Sequence, residues 1–220
     1  MSHPIRIPTA GVRPRRALAL LVVLAAAASL PAGANESRPA GTQAPPPPAA
    51  PVASVDDEIV RYMAVSRPGA EHRWLDPLVG SWTVDLRWQG AGGAETRTTG
   101  TSENRWILDG RFLLCESTAG DGPSRIDATT IYGFDNRQKK YFALGLHNLA
   151  SYIMQPSGSY DAATHSFLLS GRERDEVTGG VLVYRELLKV EGPDRYVLSV
   201  YFDVPGRTPV RVIEAVYTRR

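Results

Sequence analysis

The sequence predicts an all-β protein, a single antiparallel up-and-down barrel of about ten strands. The first observation is Gly80-Ser81-Trp82-Thr83-Val84-Asp85-Leu86-Arg87-Trp88, which puts Trp82, Val84, Leu86 and Trp88 on one face and Thr83, Asp85 and Arg87 on the other. That period of two belongs to a strand half buried against a core. Second, about nine similar segments follow at short, even spacing, the pattern of a sandwich or barrel. Third, the connectors carry turn chemistry, as in Asp109-Gly110, Gly120-Asp121-Gly122-Pro123, Asp135-Asn136, Thr178-Gly179-Gly180 and Gly192-Pro193-Asp194, and none is long enough for a crossover helix. Neighbours therefore pair antiparallel in sequence order. A meander of this many strands closes, because an open one leaves two unpaired edges.

Residues 1–34 read as a secretory signal peptide. Arg13, Arg15 and Arg16 form the basic start, Ala17 to Leu30 an uncharged apolar run, and Ala32-Gly33-Ala34 a small-x-small cleavage site with the cut after Ala34. The apolar run is shorter than the ~20 residues that span a bilayer, and no Cys follows it for lipid attachment. The sequence thus predicts a periplasmic or secreted protein with no stable membrane anchor after cleavage. Residues 35–53 form a Pro/Ala-rich tether with Pro45 to Pro48 in a row; proline fixes φ and donates no hydrogen bond, so this segment is expected to be extended and coreless.

Ser54 to Ser66 reads as a helix, with Ser54 as its cap and Asp56, Asp57 and Glu58 in the first turn, where the helix dipole favours acids. Arg67-Pro68-Gly69 ends it, and Ala70 to Leu78 gives a second helical turn carrying Trp74, Leu75 and Leu78. The pair, residues 54–78, is expected to pack as a lid against one end of the barrel domain, residues 79–220. The strands run approximately over 81–89, 95–108, 111–118, 125–134, 140–147, 152–160, 166–172, 181–190, 196–203 and 210–218.

Charge excludes one class of partner. The whole chain carries +2, but the leader holds four arginines and no acid; without it 21 basic and 23 acidic residues remain, a net of −2. Nothing here draws the protein to nucleic acid or to anionic membranes. The single cysteine, Cys115, sits in an apolar run and reads as a core residue; it cannot make an internal disulfide.

One set of segments points further. His72-Arg73-Trp74-Leu75-Asp76-Pro77-Leu78-Val79-Gly80-Ser81-Trp82 is followed by Glu103-Asn104-Arg105-Trp106-Ile107-Leu108-Asp109-Gly110-Arg111-Phe112-Leu113, then by Tyr132-Gly133-Phe134-Asp135-Asn136, Lys139-Lys140-Tyr141 and Gly158-Ser159-Tyr160-Asp161. Gly80-Ser81-Trp82 is similar to the Gly-x-Trp opening of lipocalins and other calycins. Together the segments resemble an uncharacterised bacterial family of lipocalin-like domains of unknown function, from about His72 to the C-terminus. The resemblance implies a calycin-like barrel and no assigned chemistry. Around Leu144-Gly145-Leu146-His147-Asn148 the chain departs from that family, which more often has a Trp and an acid there.

No nucleophile elbow, phosphate-binding glycine loop, dinucleotide fingerprint, His-Glu-x-x-His helix or cysteine pair is present. No cofactor, metal or catalytic residue is assigned. The candidate site is instead a barrel lining. Acids on apolar faces are the sharper signal: Glu186 shares a parity with Leu182, Tyr184 and Leu188, and Glu214 with Val210, Val212 and Val216. Both are expected to point inward, where an unpaired carboxylate is costly and needs an Arg or hydroxyl partner, such as Arg105 or Arg111, or stays protonated. An internal ion pair or a strand-end Glu reaching solvent is one reading, and a polar anchor in an apolar ligand cavity the other. Trp88, Trp106, Tyr132 and Tyr184 are the candidate aromatic lining, with Trp82 a structural plug, and His147 ends a strand where it reaches a barrel mouth. The expected ligand-binding set is therefore Trp88, Trp106, Tyr132, His147, Tyr184, Glu186 and Glu214. It points to an exported barrel holding a small, mostly apolar ligand. Three alternatives stand beside it: an enzyme using Glu186 and Glu214, haem or metal binding through His147, and a structural or interaction module without chemistry.

Overall fold

The computed structural model describes residues 54–89, 94–175, 179–203, 206 and 208–220. The leader and tether expected over residues 1–53 lie outside the described residues. Ten strands form one closed antiparallel barrel: β1 (Gly80–Gln89), β2 (Glu95–Ile107), β3 (Phe112–Ala119), β4 (Ile126–Asp135), β5 (Lys140–His147), β6 (Ser157–Asp161), β7 (Ser166–Arg174), β8 (Val181–Gly192), β9 (Arg195–Asp203) and β10 (Val210–Arg219). Each pairs with its sequence neighbour, and β10 closes the ring on β1, with Trp82 opposite Arg219 and Trp88 opposite Ile213. The alternation read in the sequence decides which face turns in. Trp82 and Val84 are buried, and the register carries that face from strand to strand.

One end of the barrel is stoppered. Ala70–Leu78 is a 3-10 helix whose His72, Leu75 and Leu78 are buried, the two leucines each contributing about 2 kcal/mol of burial. Its last carbonyls face into the barrel and are answered there. Leu78 O accepts from Trp82 Nε1 at 3.0 Å and from Asn104 Nδ2 at 2.8 Å. Val79 O and Pro77 O accept from the Arg219 guanidinium at 2.9 and 3.3 Å, and that guanidinium lies 4.2 Å over the Trp82 ring. Tyr141 Oη donates to Glu71 O at 2.8 Å. Around these bonds pack Leu113, Phe134, Tyr141, Phe167, Leu188 and Tyr196. Helical backbone that ends against a core leaves unpaired carbonyls, and here side chains of β1, β2 and β10 supply the donors.

The preceding helix α1 (Val55–Val65) forms with Ser54 as its cap, the Ser54 side chain accepting from Asp57 N at 3.1 Å. It buries none of its residues; Ile59, Tyr62 and Met63 are more than half exposed. Among the described residues it is moored at and just past its C-terminus, where Asn136 Nδ2 donates to Val65 O and Arg67 O, and Arg111 Nε to Ser66 O. The stopper is therefore the second helical turn alone.

The sixth strand is shorter than the 152–160 expected. Pro156 cannot donate to a ladder; its carbonyl accepts from Ala143 N, and Met154 forms a lone bridge with Gly145. Regular pairing of β5 with β6 is confined to Tyr141 with Gly158 and Phe142 with Ser157. Residues 148–156 cover the gap irregularly, leaving Leu149, Tyr152 and Ile153 exposed.

Candidate functional site

Following the register inward from the stoppered end separates the interior into two halves. The lower half is apolar and closed. The upper half, toward the mouth formed by the β1–β2, β3–β4, β5–β6, β7–β8 and β9–β10 connections, is reached by solvent. Leu86, Trp88, Leu182, Phe202 and Ile213 all face inward by register yet keep partial exposure, which requires water to enter the mouth.

Between the halves runs a chain of hydroxyls and amides. Ser117 Oγ donates to Ser102 Oγ at 2.8 Å, Ser102 Oγ to Asn104 Oδ1 at 2.7 Å, and Asn104 Nδ2 to Tyr196 Oη at 3.0 Å. The Tyr196 ring stacks on Tyr217 at 4.1 Å. A cavity of about 30 Å3 lies here, lined by Cys115, Ser117, Thr130, Tyr132, Leu198 and Tyr217 among others. That is room for about one water among several polar partners. The Cys115 thiol is buried, and burial pushes its pKa well up, so it is no nucleophile.

Glu186 stands just above this cavity. It pairs with Leu169 on β7 and Val200 on β9, both buried, and lies between Tyr184 toward the mouth and Leu188 toward the stopper. Burial pushes its carboxyl up to about 7. No hydrogen bond or ion pair reaches it among the described residues, although solvent access is not fully closed. Tyr132, Tyr184 and Tyr217 are raised chiefly by their own burial, and the Glu186 charge adds to each. The Tyr184 ring, itself fully buried, lies over Gly171 on β7, where a Cβ would overlap it. Its Oη donates to Glu173 Oε1 at 3.2 Å, and Glu173, opposite Leu182, is on the inner face as well.

The structure therefore brings Glu186, Tyr132 and Tyr184 together, with Trp88 nearer the mouth. His147 pairs with Ala128 on the inner face of β5, also at the mouth. Its ring meets Tyr152 edge-on at 6.0 Å, and its Nδ1 is buried without a partner. Burial lowers its pKa, so it is a neutral imidazole there. Among the described residues no group of three or more His, Cys, Asp and Glu side chains is placed to hold a metal ion.

Two expected members are elsewhere. Trp106 is at the stoppered end, its indole N–H donating to Asp76 Oδ1 at 3.0 Å; a partly buried indole takes the nearest acceptor, and the helical turn supplies it. Glu214 points outward. A β-bulge between Arg211 and Ile213 shifts the register of β10 against β9, so Ile213, Ala215 and Tyr217 face in, and an extra residue reverses the parity of everything after it. On the outer wall Glu214 meets Arg211, and Arg87 at 3.7 Å. Of the two carboxylates named for the enzymatic alternative, Glu186 is therefore on the inner wall and Glu214 is not. Glu173 and Tyr217 were missed by sequence reasoning. The alternation Phe167, Leu169, Gly171, Glu173 carried the first, and the interior Gly of that run, which marks a close approach, was its signal.

A larger concavity, about 430 Å3, is open and lies over the outer wall of β3, β4 and β5, between Glu116, Thr118, Asp127, Thr129, Leu146 and Asn148. Its polar walls are occupied with one another: Thr118 Oγ1 donates to Asp127 Oδ1 at 2.9 Å, Arg125 binds the same carboxylate, and Asp127 N donates to Asn148 Oδ1. His147, with its unpartnered Nδ1, also borders this concavity, together with Ala128. The concavity lies open to solvent and encloses a ligand less than the barrel interior does, despite its size.

Residues 67–219 match the profile of a family described as "Protein of unknown function (DUF1579)". None of the curated proteins matches the chain. Among solved structures the chain is similar to Rv2717c from M. tuberculosis, at 14% identity over 70% of this chain and 99% of that one, with a TM-score of 0.50. It is also similar to the S-type phycobiliprotein lyase CPES from Guillardia theta, at 10% identity over 72% of this chain and 96% of that one, with a TM-score of 0.46. A third similar structure is EF1p2_mFAP2b bound to DFHBI, at 8% identity over 69% and 100%, with a TM-score of 0.35. The likeness to Rv2717c is one of fold.

Proposed function

Because the chain belongs to the DUF1579 family, whose description names no activity, we propose a function from the geometry of this barrel: it binds a small, mostly apolar molecule in the mouth-side half of its interior. One observation carries the reading. Glu186 is a carboxyl on the inner wall, desolvated enough to be pushed up to about 7, with no hydrogen bond or ion pair among the described residues, on the side of the barrel that solvent enters. Desolvating an unpaired carboxyl costs stability, and such a group in a concave site is the usual mark of a polar anchor. The ligand's body lies against Leu86, Trp88, Leu182, Phe202 and Ile213, and its polar end reaches Glu186 and the tyrosine hydroxyls. His147, with its unpartnered Nδ1 at the mouth, offers a second polar contact. In this reading residues 1–34 carry the protein out of the cytoplasm and are removed after Ala34.

The test is native mass spectrometry of the chain purified from its own host. A bound small molecule released on denaturation is expected, and the mass of the polypeptide reports the cut after Ala34. A bare polypeptide that also fails to take up small amphiphiles from a mixed library defeats the reading.

A further inference from the structure

The charges on the inner wall have one sign where the ligand enters. By register the described inward-facing residues of the mouth-side half include two carboxylates, Glu173 and Glu186, on the adjacent strands β7 and β8, and neither Lys nor Arg. Arg219 is the inward cation of the barrel, and it is held at the opposite end by the carbonyls of Val79 and Pro77 and by the Trp82 face. His147 is kept neutral by burial. Of the two acids, Glu173 already accepts from Tyr184 Oη. Among the described residues Glu186 has no hydrogen bond or ion pair; by register it faces inward between Tyr184 and Leu188, opposite the buried Leu169 and Val200, and it keeps partial solvent access.

We infer that the ligand bears a cationic head, an organic ammonium ion on an apolar body, with its N–H groups donating to the Glu186 carboxylate. The inference rests on the barrel-binding reading above and names its ligand class. Three arguments converge on it. A carboxylate ligand would bring a third negative charge into a low-dielectric space with no counter-charge, which is repulsive. A neutral donor would hydrogen-bond Glu186 and leave its charge unneutralised. An ammonium ion satisfies the carboxylate with a charge-assisted hydrogen bond, and the surrounding tyrosine rings add the attraction of aromatic faces for cations.

The experiment compares three probes with one six-carbon body: hexylammonium, hexanol and hexanoate. Each is titrated calorimetrically at about pH 8, where Glu186 is ionised, into the wild-type chain and Glu186→Gln. Hexylammonium is expected to bind about tenfold or more tightly than hexanol, with hexanoate weakest, and Glu186→Gln should bring hexylammonium down to the level of hexanol. If hexanol or hexanoate binds as well as hexylammonium, the cationic head is wrong while the binding barrel stands. If Glu186→Gln keeps the preference, Glu186 is not the anchor and the inference falls. If none of the three binds the wild type, the barrel-binding reading falls with it.

Discussion

Glu186→Gln keeps the shape of the side chain and removes its titration, so it isolates what one buried carboxyl does to stability. The ordinary value of 4.5 rises to about 7 in the folded protein. Below pH 4.5 the group is protonated in both folded and unfolded chains and contributes nothing pH-dependent. Between 4.5 and 7 the folded state holds a proton that the unfolded state has lost, so the stability of the wild type falls by about 1.4 kcal/mol per pH unit. Above about pH 7 both states are ionised and the penalty is complete, at about 3 kcal/mol. Residual solvent access makes this an upper figure. Urea unfolding of wild type and variant, at intervals from about pH 4 to 8.5, gives the difference curve directly. The amide of Gln adds a constant offset that cancels from the shape of that curve. The variant should gain on the wild type by about 2–3 kcal/mol across the interval, mostly between pH 5 and 7. A difference curve that is flat, or that rises with pH in favour of the wild type, refutes the placement of Glu186 in a desolvated interior.

Glu214→Gln makes the contrasting case: with its carboxyl on the outer wall beside Arg87 and Arg211, it should change stability by less than about 1 kcal/mol. Gly171→Ala sets a methyl into the Tyr184 ring; a loss of about 1–3 kcal/mol in urea unfolding is expected, with a change in tyrosine fluorescence as the ring leaves Glu173. Wild-type behaviour there would mean that the ring is elsewhere. The buried Cys115 thiol should react with an aromatic disulfide reagent only as fast as the chain unfolds, so its rate should climb with urea in step with the unfolding rate; immediate reaction in buffer contradicts its burial.

The barrel was legible because its signals are local. The alternation from Trp82 to Trp88 declares an inner face without reference to any partner, and the turn residues between strands leave only neighbour pairing. Glu186 was legible for the same reason: Tyr184, Glu186 and Leu188 form one parity on a regular strand. Glu214 was misread because both parities of β10 are apolar, Val210, Val212 and Val216 on one and Ile213, Ala215 and Tyr217 on the other. The bulge that chooses between them is set by pairing with β9, which local pattern does not encode. Trp106 was misplaced because indoles suit a cavity wall and a stopper equally, and the deciding acceptor, Asp76, lies thirty residues away. Glu173 fell beyond the expected end of its strand at Arg172. Ile59, Tyr62 and Met63 fall on one face of α1 at helical spacing, yet they stay exposed: amphipathic pattern predicts a helix, and burial needs a surface opposite.

The seam between β1 and β10 joins the first strand of the ring to the last, with Thr83 bonded to Thr218 across 135 positions. Every other seam can form between chain neighbours, whereas this one waits for the whole meander. Until then β1 and β10 are open edges, each with a row of unpaired amides and carbonyls, and the stopper lacks the Arg219 that ties it down. Time is therefore the vulnerable dimension of this molecule. The ring's final closure is its slowest contact to find, and the interval before closure is when two copies, each with its edges bare, can pair with one another instead. The same bond that makes the finished barrel edgeless makes its half-finished form adhesive.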